Sequence, residues 1–300
     1  MGILTAIARR QHEHRQRTAD RLTAVLDSGL LPAELAEMGL YYRAKAYKDL
    51  SLNDAARAGM QQVADSGGRY APRAQRGLAN LARLSGDFPT ALAAVPTLGW
   101  KGRHHRVLGD IRWSQGDTGR AVAAFEAGRA EAEQHSAAGE RAMMQVRLAL
   151  AVSFADPVRA DDELVLAHQL LDGLDQRSNT LLAQVVALIK DAGTGDVTTR
   201  ALSLQADIEA AGLPFLHRFV ELALAFHHAV RGEDQDLVVT IGRLRELTVS
   251  GDFAYFVDIA HFMAGLPLPA AIRWTESEEH VRSAWRRKVQ ARQEHLRTGA

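Results

Sequence analysis

The chain has 300 residues, and its 36 basic and 36 acidic side chains cancel, so no strong electrostatic field covers the whole molecule. It contains no cysteine, which excludes disulfides, thiolate metal sites and a cysteine nucleophile. Hydrophobic residues make up 47% of the chain but aromatic residues only 6%, a composition that suits closely packed helices rich in alanine and leucine.

The N-terminal segment does not resemble a secretory signal, because its apolar run is short and its charges follow that run. The longest apolar run, residues 181–189, is far too short to span a bilayer. We therefore expect a cytoplasmic protein that has no contact with a membrane.

Apolar residues recur with helical spacing along the chain, and glycine and proline separate the segments. No segment shows the alternation of a good strand. The pattern predicts helices at residues 3–27, 33–49, 53–65, 71–85, 88–98, 103–115, 118–135, 138–155, 161–173, 177–192, 197–211, 215–230, 234–249, 253–264 and 276–297. Asn53 is a predicted N-cap, Asp156-Pro157 is predicted to end the helix before it, and Ser277 or Thr275 is predicted to cap the last helix.

Residues 103–128 have the pattern of two short amphipathic helices joined by a tight Gly116-Asp117 turn. Gly109 lies on the first helix, and Ala121 and Phe125 share one face of the second. Small residues at facing positions let two helices approach closely, and Phe125 fills the space beyond them. The pattern occurs again one unit earlier at Leu78-Ala79, Ala82, Gly86-Asp87, Phe88, Ala91 and Val95, and more weakly at Ala44, Tyr47, Ser51, Ala56 and Met60. A repeat of about thirty residues predicts a stack of helix pairs.

Residues 38–128 resemble tetratricopeptide repeats, with the best match at 103–128. The resemblance implies an all-α fold, a right-handed superhelical solenoid of antiparallel helix pairs whose first helices line a concave groove. It implies peptide or partner-helix binding and no catalysis. We expect a single domain over residues 1–300, divided into an N-terminal helix at 3–32, the best repeats at 33–136, degenerate helix pairs at 137–266 and a C-terminal capping helix at 270–300.

The resemblance also implies which side chains face the groove. They are Tyr41, Lys45 and Lys48 in the first pair, Arg73, Arg76, Asn80 and Arg83 in the second, and Arg103, Arg106, Asp110 and Trp113 in the third. Seven of them are cations and one is an acid, so the groove would attract an acidic peptide or a C-terminal carboxylate. The layout of Arg76 and Asn80 is similar to the carboxylate clamp of some family members, while Tyr41 and Trp113 would be apolar anchors. The alternative is a solvated charged face paired with acids of neighbouring helices.

Both ends of the chain are basic. The last predicted helix combines an apolar stripe with many cations: Val281, Trp285, Val289 and Leu296, with Arg282, Arg286, Arg287, Lys288, Arg292 and Arg297. We expect it to cap the array. Contact with a partner helix or nucleic acid is the alternative, and the neutral chain without a nucleic-acid-binding motif disfavours nucleic acid. The N-terminal arginines form either a solvated helix face or an interaction arm: Arg9, Arg10, Arg15 and Arg17.

Histidines occur in close pairs: His12 with His14, His104-His105 and His227-His228. Because adjacent side chains on a helix point in different directions, we expect no metal site from them, and no cofactor. The chain has no phosphate-binding loop, no HExxH and no GxSxG, so we expect no enzyme activity.

The sequence predicts a non-enzymatic scaffold that binds a peptide or partner protein in a basic groove. One alternative is a peptide-responsive sensor that acts on an effector such as a bacterial transcription regulator. The other is a structural component that oligomerises through its terminal helices.

Overall fold

The computed structural model describes residues 15–268 and 272–299. All regular structure in these residues is helical, with fifteen α-helices and one short 3-10 helix at Pro214–Leu216. The helices are α1 (Arg15–Asp27), α2 (Ala33–Asp49), α3 (Asn53–Asp65), α4 (Ala71–Leu84), α5 (Phe88–Leu98), α6 (His104–Ser114), α7 (Thr118–Gln134), α8 (Ala138–Ser153), α9 (Pro157–Leu171), α10 (Arg177–Lys190), α11 (Val197–Ala210), α12 (His217–Arg231), α13 (Asp234–Leu247), α14 (Tyr255–Ala264) and α15 (Glu278–Thr298). The all-α prediction is confirmed. In the described part of the chain, no helix has both the length and the apolar character needed to cross a membrane.

The described residues divide into two compact units. Unit 1 contains the chain up to Arg83 and the segment Thr90–Val107, and unit 2 contains Leu84–Pro89 and the chain from Leu108 onward. In unit 1, α1 packs on α2 and α2 on α3. In unit 2, each helix from α7 to α14 packs on the next, as expected for a helical repeat.

Alternate helices of unit 2 also pack on one another, so that α8, α10, α12 and α14 form one continuous row. This row carries most of the core. Helix α12 is buried on all sides from Phe219 to Val230, and α14 from Tyr255 to Met263, whereas α9, α11 and α13 bury only one face. A helix that is apolar on nearly all sides must lie inside the fold, and apart from Asp258 and His261 the sequence of α14 has this character.

The close approach predicted from small residues is present. Gly109 is buried, and a Cβ added there would lie 2.7 Å from Cζ of Phe125, whose side chain is 1% exposed. In unit 1, a Cβ at Gly59 would lie 2.8 Å from Cβ of Ala44. The predicted pairing of Gly109 with Phe125 is therefore confirmed.

Two capping predictions differ from the structure. Helix α9 begins at Pro157 and not at residue 161, because Asp156 accepts a hydrogen bond from the Arg159 backbone N–H and proline is favourable in a first turn. Asn53 is the first residue of α3, and Leu52 precedes it at the N-cap position without a side-chain bond.

The predicted cap of the last helix is confirmed at Ser277, whose hydroxyl accepts a hydrogen bond from the His280 backbone N–H. Thr275 has a different role, because its hydroxyl donates to the side-chain carbonyl of Gln115. The described α15 ends at Thr298, one residue beyond the predicted end.

Helix α15 lies across the C-terminal ends of several helices of unit 2, a larger role than the predicted cap of one end. The last carbonyls of an α-helix have no partner inside that helix, and α15 supplies donors to them. Trp285 Nε1 donates to Ser114 O at the end of α6 (3.1 Å), and Gln293 Nε2 donates to Val230 O near the end of α12 (3.2 Å). Arg282 donates to Leu266 O just after α14 (3.0 Å).

Arg292 joins two further helix ends. Its guanidinium donates to Ser153 O, the last residue of α8 (2.6 Å), and to Lys190 O, the last residue of α10 (2.7 Å). The side chain is only 3% exposed, so these carbonyls compensate the loss of water around the charge. A cation at a helix C-terminus also interacts favourably with the helix dipole.

Unit 2 brings together segments that are far apart in sequence. The backbone N–H of Phe253 donates to Leu84 O, and that of Arg273 donates to Gly86 O (2.9 and 3.0 Å). The Phe88 ring stacks on Trp274 with their centroids 5.0 Å apart and meets Tyr255 edge-on.

Candidate functional site

Four of the predicted groove cations lie close together in unit 1. Lys45 and Lys48 are on α2, Arg76 is on α4 and Arg106 is on α6. The pKa of Lys45 is lowered to about 8, mainly by burial and in smaller part by the charges of Lys48, Arg76 and Arg106, against the opposing effect of Asp49. We call these four residues the basic cluster. The first helices of three predicted pairs therefore bring cations to one partly buried place.

Asp49 is the carboxylate that acts on this cluster. Its burial would raise its pKa, but the charges of Lys48 and Lys45 and a hydrogen bond from Lys48 outweigh burial, so the pKa is below its usual value. Lys48 Nζ lies 3.1 Å from Asp49 Oδ1, and Arg15 Nε lies 3.9 Å from Oδ2. Asp49 thus interacts with Lys45, Lys48 and Arg15.

Other predicted groove cations of unit 1 have local partners. Arg73 is exposed and its guanidinium lies 5.3 Å from the centre of the Tyr70 ring. Arg103 lies 3.7 Å from the Trp100 ring centre and donates to the Trp100 carbonyl.

Asn80 and Arg83 of α4 bond to each other. Arg83 is only 6% exposed and donates to the side-chain oxygen of Asn80 at 2.8 Å. The Asn80 carbonyl is therefore occupied within the protein. Arg76, one turn earlier, is the member of this predicted set that belongs to the basic cluster.

The predicted aromatic anchors are core residues, which corrects the role inferred for them. Tyr41 is 5% exposed and packs against Tyr42 and Tyr70. Trp113 of unit 2 is 4% exposed, and its ring meets Phe256 and Trp285 edge-on. Helical spacing places these residues on a helix face but does not show whether another helix covers that face.

Asp110 is also buried. It is 6% exposed, lies in unit 2 and forms an ion pair with Arg147 of α8. The one acid among the predicted groove residues therefore forms a contact between two helices.

The ligand atoms of His227 and His228 lie closer together than the prediction about adjacent histidines assumed. One ligand atom from each, with one from Glu233, can lie within 4.8 Å of the others. Yet the Gly193 backbone N–H donates to His227 Nδ1 at 3.1 Å, so the neutral ring carries its proton on Nε2. Burial and the neighbouring His228 lower the pKa of His227 to about 4. In this arrangement His227 offers no lone pair to a metal, and the group is a hydrogen-bond network.

Unit 2 contains a buried carboxylate that the sequence pattern did not predict. Asp258 of α14 is 0% exposed, and neither of its side-chain oxygens has a hydrogen-bond partner among the described residues. Burial raises its pKa to about 7, and the charge of Glu278 adds to this effect. A single acid inside an otherwise apolar helical run is the signal that could have identified it.

Several predictions concern residues outside those that the structure describes. They are the interaction arm at Arg9 and Arg10, the pair His12 with His14, and the first part of the predicted helix 3–27.

Comparison of the chain with protein-family models, with curated proteins and with solved structures gives no match. The resemblance to tetratricopeptide repeats therefore stays a prediction, supported by the packing of consecutive helices.

Proposed function

We propose that this protein is a non-enzymatic binding module in which the basic cluster of unit 1 holds an acidic segment or a C-terminal carboxylate of a partner protein. The observation that carries the proposal is the convergence of Lys45, Lys48, Arg76 and Arg106 on a place where burial depresses the pKa of Lys45. Cations that have lost part of their water gain free energy when an anion arrives.

Binding of an anion at the basic cluster is coupled to proton uptake by Lys45. A bound carboxylate favours the ammonium form, so it raises the pKa of Lys45 from about 8 towards the ordinary value of 10.5. Above pH 8 the free protein has lost part of this proton, and binding must restore it. Peptide binding should therefore take up protons at pH 8 to 9 and become weaker as the pH rises.

The proposed architecture is a tetratricopeptide-like, right-handed superhelix, and the proposed setting is the cytoplasm. Support for the architecture comes from the packing of each helix on the next and from close contacts at Gly59 and Gly109. Support for an interaction role comes from the charge of the basic cluster, which needs no cofactor to attract an anion. A role as a regulator or an assembly component stays a prediction.

A glutamate-rich fluorescent peptide, with a free or an amidated C-terminus, tests the proposal by anisotropy. We expect saturable binding that weakens with salt, and a loss of at least about tenfold in affinity when Arg76 and Arg106 are both changed to Glu. The matched control changes the exposed Arg57 and Arg69 of the same unit to Glu. A preference for the free C-terminus would identify the carboxylate as the ligand group.

Calorimetry at pH 8.5 in buffers of different ionisation enthalpy measures the proton uptake, which Lys45→Met should abolish. Equal affinities of the two double variants, or no saturable binding of either peptide, would refute the proposal. Circular dichroism checks that both variants keep their helix content.

A further inference from the structure

Unit 2 contains a cavity of about 620 Å³ between α15 and the turn that begins α7. Its lining includes four small residues, Gly116, Ala155, Ala284 and Ala291. The lining also includes charged side chains, among them Arg120, Arg287 and Lys288. The volume lies within the range of about 300 to 1,000 Å³ that is usual for small-molecule sites.

The two acids at the cavity are already used by arginines. Asp117 lies 3.5 Å from Arg120 Nη1 and accepts a hydrogen bond from the Arg120 backbone N–H, so it also caps α7. Glu276 lies 4.0 Å from Arg120 and 3.8 Å from Arg112. Both acids therefore pair with arginines, and neither forms an ion pair with a described cation of α15.

The cations of α15 that line the cavity are Lys288 and Arg287. Lys288 is only 8% exposed, and its ammonium donates to the hydroxyl of Thr118, which also lines the cavity. Among the described residues, no carboxylate lies within ion-pair distance of Lys288 or of Arg287. A buried ammonium normally has a carboxylate partner, because a hydroxyl compensates only part of the lost hydration.

We propose that this cavity binds a small organic anion, with its carboxylate or phosphate group on Lys288, Arg287 and the Thr118 hydroxyl. The small residues of the lining leave room for the carbon body of the ligand. The anion would join α15 to the start of α7, so its binding should stabilise unit 2. This site is separate from the basic cluster and does not depend on the function proposed for it.

The titration of Lys288 gives the binding a pH dependence. Burial lowers the pKa of Lys288 to about 8, with a smaller lowering by Arg287 and an opposite effect of Asp117. The other charged or titratable groups at the cavity are Arg120, Glu276 and His280. An anion raises the pKa of the ammonium, so affinity should be high below pH 8 and fall as the pH rises through 8.

The test uses the full chain and three probes: inorganic phosphate, succinate and the uncharged succinamide. Calorimetry and thermal melts compare the wild type with Lys288→Met and Arg287→Gln. Arg286→Gln is the matched control, because Arg286 precedes Arg287 on the same helix, is exposed and does not line the cavity. Methionine has nearly the volume of lysine, and the melting temperature of each variant without a probe shows that it folds.

We expect phosphate or succinate, but not succinamide, to bind with saturation, and Lys288→Met to weaken binding at least about tenfold while Arg286→Gln leaves it unchanged. Phosphate binding without succinate binding would identify a phosphate ligand, and the reverse result a carboxylate. Saturable binding that survives both Lys288→Met and Arg287→Gln would overturn the proposal. Failure of both anions to bind at millimolar concentration would do so as well.

Discussion

The buried carboxylate of Asp258 should make unit 2 less stable at neutral pH than at acidic pH. Its pKa is about 7 in the folded chain against an ordinary 3.8. Well below pH 3.8 the group is protonated in both states, so it gives the unfolding free energy no pH dependence. Between pH 3.8 and 7 the unfolded chain loses this proton while the folded chain keeps it, so stability falls by about 1.4 kcal/mol per pH unit. Above pH 7 the loss is complete, at about 4 kcal/mol.

The variant Asp258→Asn removes the titrating group and nearly keeps the shape of the side chain. Because the loss of stability from Asp258 between pH 5 and 8 is about 3 kcal/mol, the wild type should weaken by that much more than the variant over this range. The unpaired amide of the variant has its own desolvation cost, but that cost does not change with pH.

Urea denaturation at pH 5, 6, 7 and 8, followed by tryptophan fluorescence, measures the difference. Trp113, Trp274 and Trp285 lie in unit 2, so three of the four tryptophans report on it. The control is Asp207→Asn on the exposed face of α11, which should follow the wild-type curve. If Asp258→Asn and the wild type gave parallel stability curves across this range, the carboxylate would be ionised or hydrated in the folded chain and the reasoning would be wrong.

Three further changes test the packing of unit 2 by urea or thermal unfolding. Phe125→Ala should lower the free energy of unfolding by about 3 to 5 kcal/mol, because it leaves a cavity. An unchanged melting temperature would contradict the burial of Phe125 between α6 and α7. Gly109→Leu should cost about 1 to 3 kcal/mol or more, because a side chain there falls on the Phe125 ring; a neutral effect would show that the helices can separate freely. Arg292→Met should cost about 3 kcal/mol, since it leaves the carbonyl ends of α8 and α10 without donors. The control is Arg297→Met, because Arg297 is exposed on the same helix and its loss should change stability little. Equal effects of the two substitutions would exclude a special role for Arg292.

Local patterns determined most of the helices. Apolar periodicity and the glycine turns located α2, α3 and α5 at their observed bounds, and small residues predicted the approach of Gly109 to Phe125. These features depend on residues near one another in sequence, so a local pattern is sufficient to predict them. The stripes of cations on α2, α4 and α6 are also local patterns, and they indicated the residues of the basic cluster.

Tertiary structure decided which of those side chains are accessible. Tyr41, Asp110 and Trp113 have the helical spacing of groove residues, but each is covered by neighbouring helices. Spacing gives the direction of a side chain from its own helix, whereas exposure depends on what packs against that face. The sequence alone could not distinguish an anchor for a ligand from a core residue.

The role of α15 and the charge of Asp258 were also decided by tertiary structure. Trp285 and Arg292 bind carbonyls that lie far from them in sequence, and the distance from Arg292 to Ser153 is 139 residues along the chain. The sequence by itself determined that α15 is an amphipathic basic helix with a cap at Ser277 or Thr275, and the structure decided for Ser277. Only the folded chain places its donors against the open ends of other helices, because those carbonyls come together through the packing of distant segments.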